Sequence, residues 1–305
     1  MRRLCVGACW FALAMLPMGM ATDAGQPRDL PITPAGPLDA ALAARRGYVD
    51  STLGQLHYQR MGGEARVLLI HQVPWFHIYF TRAQEALARL GVGSIAIDLP
   101  GYGFSDRPAS PPGINDYARA LHGGLDGLGI ERIAIVGHHT GATVATEMTR
   151  IAPARTACLV LHGVPLYSDE ERDKRLAVPH WEQTPDPQGE YLANRYRYLR
   201  ERVVGSPQAL HWSVLAMYLA GPMEWYGHHA VFKYDMAGSL ATLAGPVVVL
   251  SNSDDLLDFT FERVKALRPD FRFQRLVGQS SNMAFDEPDA WARAIIAALA
   301  YCSRA

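Results

Sequence analysis

From Gly47 onward, short runs of consecutive apolar residues alternate with stretches of helical length. Gly54 to Met61 reads as a strand, and Arg66 to His71 (Arg-Val-Leu-Leu-Ile-His) as a buried one. Ala83 to Leu90 is predicted helical, Ser94 to Asp98 a short strand, Tyr117 to Leu128 a helix and Arg132 to Val136 a strand ending at Gly137. Helix Gly141 to Ile151 and strand Ala157 to His162 follow. Much later come strand Pro246 to Ser251, helix Phe259 to Leu267, strand Phe271 to Val277 and helix Asp289 to Ala300. Continuous Val/Ile/Leu runs between helices mean an α/β protein, its mostly parallel sheet covered on both faces. In such sheets function gathers at the carboxyl ends of the strands.

One stretch breaks the alternation. Between His162 and Pro246 no parallel strand is visible; Ser168 to Arg175, Glu190 to Val203, Pro207 to Leu219 and His228 to Met236 all read as helical. The expected organisation is a core of residues 47–164 and 240–305 with a helical lid of residues 165–239 inserted into it. The segment carries Trp181, Tyr191, Tyr196, Tyr198, Trp212, Tyr218, Trp225 and Tyr226. That much aromatic surface suits a lid that excludes water over an apolar pocket, hence a small, mostly apolar substrate.

The amino terminus has a different pattern. Met1-Arg2-Arg3, an apolar stretch from Leu4 to Met20 and small residues at Gly19 and Ala21 predict a signal peptide over 1–21, cleaved on export to the periplasm or the medium. No membrane attachment is expected after that cleavage. Residues 22–46, with Pro27, Pro31, Pro34 and Pro37, read as a lead-in. Cleavage removes Cys5 and Cys9. Of the remaining cysteines, Cys158 lies in an apolar run and Cys302 near the end, and the expectation is a buried free thiol and a tail thiol. The whole chain of 305 residues has 29 Lys and Arg against 30 Asp and Glu. Without a basic run or field, nucleic-acid binding is excluded.

The chemistry centres on Gly137-His138-His139-Thr140-Gly141, set between a strand and a helix. Small residues at the outer positions let the backbone double back and lift the central residue to the top of the sheet. Two further motifs accompany it: Ile70-His71-Gln72-Val73-Pro74 after one strand, and Asp98-Leu99-Pro100-Gly101-Tyr102-Gly103-Phe104-Ser105-Asp106 after another. Together these resemble the α/β-hydrolase superfamily over about residues 47 to 301, in the style of its lidded branch of epoxide hydrolases, haloalkane dehalogenases and esterases. The resemblance implies the α/β-hydrolase fold. It also implies an oxyanion hole from the backbone N–H groups of Val73 and Thr140, and an acid at Asp255 in Asn252-Ser253-Asp254-Asp255 after the strand Pro246 to Ser251.

The sequence departs from that family's pattern at three places. His139 stands where the nucleophile belongs, Gln72 where the loop has Gly, and Ser281 where a late histidine belongs, since no His follows His229. An imidazole is nevertheless a competent base or nucleophile near neutral pH. Helix-dipole reasoning favours its neutral form at the start of a helix. Asp255 is expected to orient water or to reach His139 through Ser281. Three readings follow. The first is a hydrolase of an ester- or lactone-like bond with His139 as base or nucleophile. The second is a cofactor-free lyase, isomerase or oxygenase in which His139 abstracts a proton. The third is a non-catalytic ligand-binding relative. Without an Asp at the elbow, epoxides and haloalkanes lose their covalent step.

His71, His138 and His139 invite a metal reading, but no helical His pair or His-Glu-x-x-His occurs, so none is expected. His138 reads as a satisfied pocket or core residue and His228-His229 as a surface pair. Tyr191, Tyr196 and Tyr198 are candidates to polarise a substrate oxygen from the lid, though such aromatics more often pack. Gly91-Val92-Gly93 precedes a strand, so no dinucleotide cofactor is implied. Asp98 is expected to cap the glycine-rich turn that follows it.

Overall fold

A computed structural model describes residues 43–180, 184–278 and 280–304. The expected signal peptide, most of the lead-in, Cys5, Cys9 and Trp181 lie outside the described residues. Among the described residues, β1 (Arg45–Ser51), β2 (Gly54–Met61), β3 (Val67–Ile70), β4 (Ser94–Ile97), β5 (Ile133–His138), β6 (Thr156–His162), β7 (Val247–Ser251) and β8 (Arg272–Arg275) form one sheet. Its order is β1-β2-β4-β3-β5-β6-β7-β8. β1 and β2 pair antiparallel, as do β2 and β4; every other pairing is parallel.

The helices are α1 (Thr81–Arg89), α2 (Ile114–Gly127), α3 (Thr140–Ile151), α4 (Asp169–Leu176), α5 (Glu190–Arg200), α6 (Pro207–Ala220), α7 (Tyr226–Lys233), α8 (Met236–Thr242), α9 (Phe261–Leu267), α10 (Met283–Asp286) and α11 (Pro288–Cys302). α4 to α8 fill the interval between β6 and β7, as the missing strand signal predicts.

The apolar runs become strands because both their faces are covered. All residues of β3, β4, β5 and β7 are buried. Alternate side chains go to opposite sides: Leu68 and Ile70 join a core with Tyr117, Leu121, Val144 and Met148 of α2 and α3, whereas Val67 and Leu69 join one with Phe80, Leu87, Trp291 and Ile295. β1 was not expected from the sequence. Its only buried residue is Val49, because it is an edge strand specified by its hairpin pairing to β2 and not by an apolar pattern.

A second difference concerns the cysteines. Cys158 of β6 and Cys302 at the end of α11 form a disulfide with Cα atoms 5.6 Å apart. The expectation of two free thiols is therefore wrong. They lie 144 residues apart in sequence, and only the packing of α11 beside β6 brings them together.

The chain visits β3, then β4 on one side, then β5 on the other. The carboxyl ends of β3 and β5 thus flank a topological switch point, where this class of sheet opens a crevice.

Candidate active site

Both glycines of the elbow are required by contact. A Cβ on Gly137 would lie 2.2 Å from the carbonyl oxygen of Gly141, and one on Gly141 would lie 2.0 Å from that of Ile70. The turn therefore presses α3 against the ends of β3 and β5. Its central residue His139 takes φ 48°, the single positive φ of a non-glycine among the described residues. Such a backbone is strained by about 1–3 kcal/mol and concentrates at functional sites. β5 runs one residue further than expected, through His138, which pairs in register with His162 at the end of β6.

The imidazole of His139 reaches the acid directly. Its Nε2 lies 2.9 and 3.0 Å from the two carboxylate oxygens of Asp255, in the loop after β7. Asp255 also accepts the Leu257 backbone N–H at 2.7 Å and faces Nε2 of His138 at 3.4 Å. Its side chain is wholly buried while that of His139 keeps 12% exposure. Burial alone would raise the Asp255 carboxyl, but His139 and His138 beside it hold it well below the usual range. The carboxylate thus fixes the proton of His139 on Nε2, and Nδ1 remains as a lone-pair nitrogen with no hydrogen bond to any described residue. Room for this ring comes from Gly163, φ +62°, where a Cβ would lie 2.4 Å from Cδ2 of His139.

Around the dyad the other imidazoles are tied down. Trp291 donates its indole N–H to Nδ1 of His162 at 3.2 Å, so His162 carries its proton on Nε2, facing Oδ1 of Asn252 at 3.2 Å. Asn252 in turn donates to the Ser280 carbonyl at 3.1 Å. Burial pushes His138 and His162 down, so both are neutral. His138 stacks between Tyr79 and His139. It is a core residue, but not the satisfied one expected, since its Nδ1 is buried without a partner.

His138, His139 and Asp255 bring potential ligand atoms together, but the rings do not suit an ion. A metal lies in the plane of each ligating imidazole at about 2 Å. The His138 and His139 rings lie 4.0 Å apart and only 23° from parallel, so their planes do not meet near either nitrogen. A second cluster, His57, His77 and Asp98, is a hydrogen-bonded brace. Nδ1 of each histidine, together with the backbone N–H groups of His77 and Phe104, faces the Asp98 carboxylate. Asp98 thus holds the glycine-rich turn, as the sequence suggested.

The remaining predicted residues divide. The N–H of Thr140 is the first of α3 and has no acceptor within the helix; Thr140, Val73 and Gln72 line the same cavity as His139. His71 does not reach it. Its Nε2 accepts the Leu99 N–H at 2.9 Å and its Nδ1 donates to the Gln72 carbonyl at 2.9 Å, which shapes the loop from behind. Burial pushes His71 down to about 4. The expected route from Asp255 to His139 through Ser281 is not formed, because the Ser281 hydroxyl donates to the Asp254 carbonyl at 2.6 Å. Its neighbour Asn282 is the residue that sequence reasoning missed. Oδ1 of Asn282 accepts from Nε2 of Gln72 at 2.9 Å, tying one departure from the family pattern, Gln72, to the neighbour of another, Ser281.

The cavity measures about 300 Å³. Its polar residues from the helical interval are Tyr167, Arg195, Ser213, Glu224 and His228. His228 is therefore a half-buried cavity residue and not a surface one as expected. Tyr191, Tyr196 and Tyr198, candidates to polarise a substrate oxygen though read more readily as packing residues, do not line this cavity. Tyr191 packs edge-on against Tyr218, and Tyr198 is 46% exposed. Among the expected aromatic lining, Trp225 and Tyr226 face a different, outer pocket. Helical spacing gave no sign of which face of each helix turns inward.

Epoxide hydrolase 3 of Siraitia grosvenorii is 38% identical over 112 residues, 35% of this chain and 34% of its own length. A 2-hydroxy-6-oxononadienedioate/2-hydroxy-6-oxononatrienedioate hydrolase of Paraburkholderia phymatum is 35% identical over 132 residues, 40% of this chain and 45% of that one. The alignments thus span less than half the length of these relatives. Among solved structures, the enol-lactonase of Burkholderia xenovorans superposes with TM-score 0.67 at 18% identity, covering 83% of this chain and 100% of the other. An esterase of Exiguobacterium antarcticum gives TM-score 0.69 at 16% identity, covering 84% and 100%. The family description of the alpha/beta hydrolase fold matches residues 65–244. By that match, over more than half its length, the chain belongs to the α/β-hydrolase fold family.

Proposed function

We propose that the protein is a hydrolase of small ester- or lactone-like carbonyl compounds, with His139 as general base and Asp255 as its orienting carboxylate. The observation that carries this reading is the direct contact of Nε2 of His139 with Asp255 at 2.9 and 3.0 Å. Nδ1 of His139 takes a proton from water as the water oxygen bonds to the substrate carbonyl carbon. The carbonyl electrons move to oxygen, held by the N–H groups of Val73 and Thr140. Collapse breaks the bond to the leaving oxygen, which recovers the proton from His139, and acid and alcohol result. Asp255 stabilises the imidazolium between the two transfers. A base suits Nδ1 better than a nucleophile does, since an acyl group there would crowd the residue's own Cβ.

The relatives named as hydrolases, lactonase and esterase support the reaction class. In the same reading residues 165–239 act as a lid. The predicted leader over 1–21 and the Cys158–Cys302 disulfide support export, since disulfides persist in oxidising compartments. A dyad with no hydroxyl nucleophile also favours, as a second reading, proton abstraction from a carbon acid by His139.

The experiment is turnover of a panel of activated esters and lactones by the protein and by His139→Ala, with circular dichroism as the folding control. A large loss in the variant is expected. Equal rates would remove His139 from the reaction. No turnover by either protein would move the assignment to the proton-abstraction reading or to ligand binding alone.

A further inference from the structure

The helical interval brings Glu224, His228 and Arg195 to the wall of the His139 cavity. Glu224 lies two residues before the start of α7, His228 lies in its first turn, and Arg195 belongs to α5. Residues four apart on a helix share a face, and the backbone at Glu224 and Trp225 is already helical. Glu224 and His228 are thus presented together. Glu224 is buried, and its hydrogen bonds to described residues run through its backbone, from the Tyr102 hydroxyl to its carbonyl and from its N–H to Gly221. His228 has the Phe232 ring stacked beside it at 6.3 Å, and neither of its ring nitrogens is hydrogen-bonded to a described residue. Two polar side chains, one buried and one half-buried, thus face one cavity with their hydrogen-bonding atoms available to what fills it.

The charges on this wall oppose one another. Burial pushes His228 down, with Glu224 acting against that and His139 and Arg195 reinforcing it, so the ring is neutral near pH 7. Arg195, itself lowered by burial, is partly restored by Glu224. A neutral imidazole offers one donor and one acceptor, a carboxylate only accepts and a guanidinium only donates. An anionic ligand would meet Glu224 and a cationic one Arg195.

We propose that Glu224, His228 and Arg195 form a subsite for a neutral group that both donates and accepts hydrogen bonds, a hydroxyl or an amide, on the substrate's end remote from its carbonyl. This rests on the hydrolase reading for the word substrate, but binding can be read without turnover. The ligand is then bifunctional, in contrast to the mostly apolar molecule that the aromatic content of this interval suggests.

The probes are stable 4-nitroanilides of hexanoic, 6-hydroxyhexanoic, 6-acetamidohexanoic, 6-aminohexanoic and hexanedioic acid (the last as its mono-anilide). Their binding to the protein is followed through the imidazole signals of ¹⁵N-labelled histidines. The hydroxy and acetamido compounds are expected to bind about tenfold more tightly than the hexanoyl compound, with shifts at His228, and the two charged compounds no better than the hexanoyl one. Glu224→Leu and His228→Phe, each with native circular dichroism, should abolish the preference, and Glu224→Gln should retain part of it. Equal binding of all probes, tighter binding of a charged one, or a preference that survives both apolar variants overturns the proposal. The matching 4-nitrophenyl esters separate the two readings. Selective binding of the anilides without ester turnover leaves the subsite standing and removes the hydrolase; turnover without selectivity does the reverse.

Discussion

Nε2 of His139 stands 2.9 Å from Oδ1 and 3.0 Å from Oδ2 of Asp255. One side chain therefore spans two places that the family pattern divides between a nucleophile on the elbow and a histidine late in the chain. This explains why both can be missing together: the elbow imidazole already reaches the acid. The late loop is then free to take another role, with Asn282 bonded to Gln72 at 2.9 Å.

Asp255→Asn should lower turnover by about 10²–10⁴-fold while leaving the fold intact, since an amide neither fixes the His139 proton nor stabilises its positive charge. The double variant His139→Ala/Asp255→Asn should be no slower than His139→Ala, because the pair acts as a unit. Rates measured for all three proteins on one activated ester check this. Additive losses would mean that Asp255 acts independently.

Gly163→Ala places a methyl 2.4 Å from Cδ2 and 2.7 Å from Nε2 of His139, at a residue with φ +62°. The imidazole must move away from Asp255. Turnover is expected to fall by at least about 100-fold, and stability by about 1–2 kcal/mol from the backbone alone. Urea denaturation and kinetics on the same preparation separate the two effects.

In the late loop, Ser281→Ala should leave turnover within about threefold of the parent, because its hydroxyl is committed to the Asp254 carbonyl and one such hydrogen bond is worth about 1 kcal/mol. Asn282→Ala should cost more, since it strands Nε2 of Gln72 at the cavity wall. Side-by-side KM and kcat measurements of the two variants test the ranking.

The Cys158–Cys302 bridge ties the end of α11 to β6. Cys302→Ser should lower the unfolding free energy by about 2–4 kcal/mol, read from urea midpoints, with turnover of the folded protein unchanged. Thiol titration under denaturing conditions of a chain beginning at residue 22, which carries only Cys158 and Cys302, should find no free thiol.

Acid should weaken the fold in a defined window. His71 is pushed down to about 4, chiefly by burial, whereas an unfolded histidine titrates near 6.5. Between these values the unfolded chain binds the extra proton, so stability falls as pH drops from 6.5 towards 4 and is unaffected by this group above that range. One such imidazole changes stability by about 1.4 kcal/mol per pH unit. His138, His162 and His228 are shifted the same way and steepen the slope. Urea midpoints at pH 7.5, 6.0 and 5.0 measure it, and His71→Asn should remove one proton from the dependence.

The central strands were legible because β3, β4, β5 and β7 are buried on both faces and their apolar composition is forced by that burial. β1 was not, because an edge strand with one buried residue leaves no apolar signature. The elbow was legible for a similar local reason, since backbone contacts of about 2 Å demand Gly137 and Gly141. Asp255 was singled out by the family resemblance of Asn252-Ser253-Asp254-Asp255 after a strand, with Ser281 as a suggested link to His139; the open space at Gly163 lets the two side chains meet without one.

By itself, the sequence determined most of the order of strands and helices, the turn that raises His139 and the lack of any histidine after His229. These are properties of neighbours along the chain, set by burial periodicity and by the room a Cβ needs. Only the tertiary structure decided that His139 touches Asp255, that Gln72 holds Asn282, that Cys158 meets Cys302 and that Glu224 and His228 face the cavity. Each of those joins segments whose separation carries no local pattern, and each depends on how helices dock on the sheet and which face they turn inward.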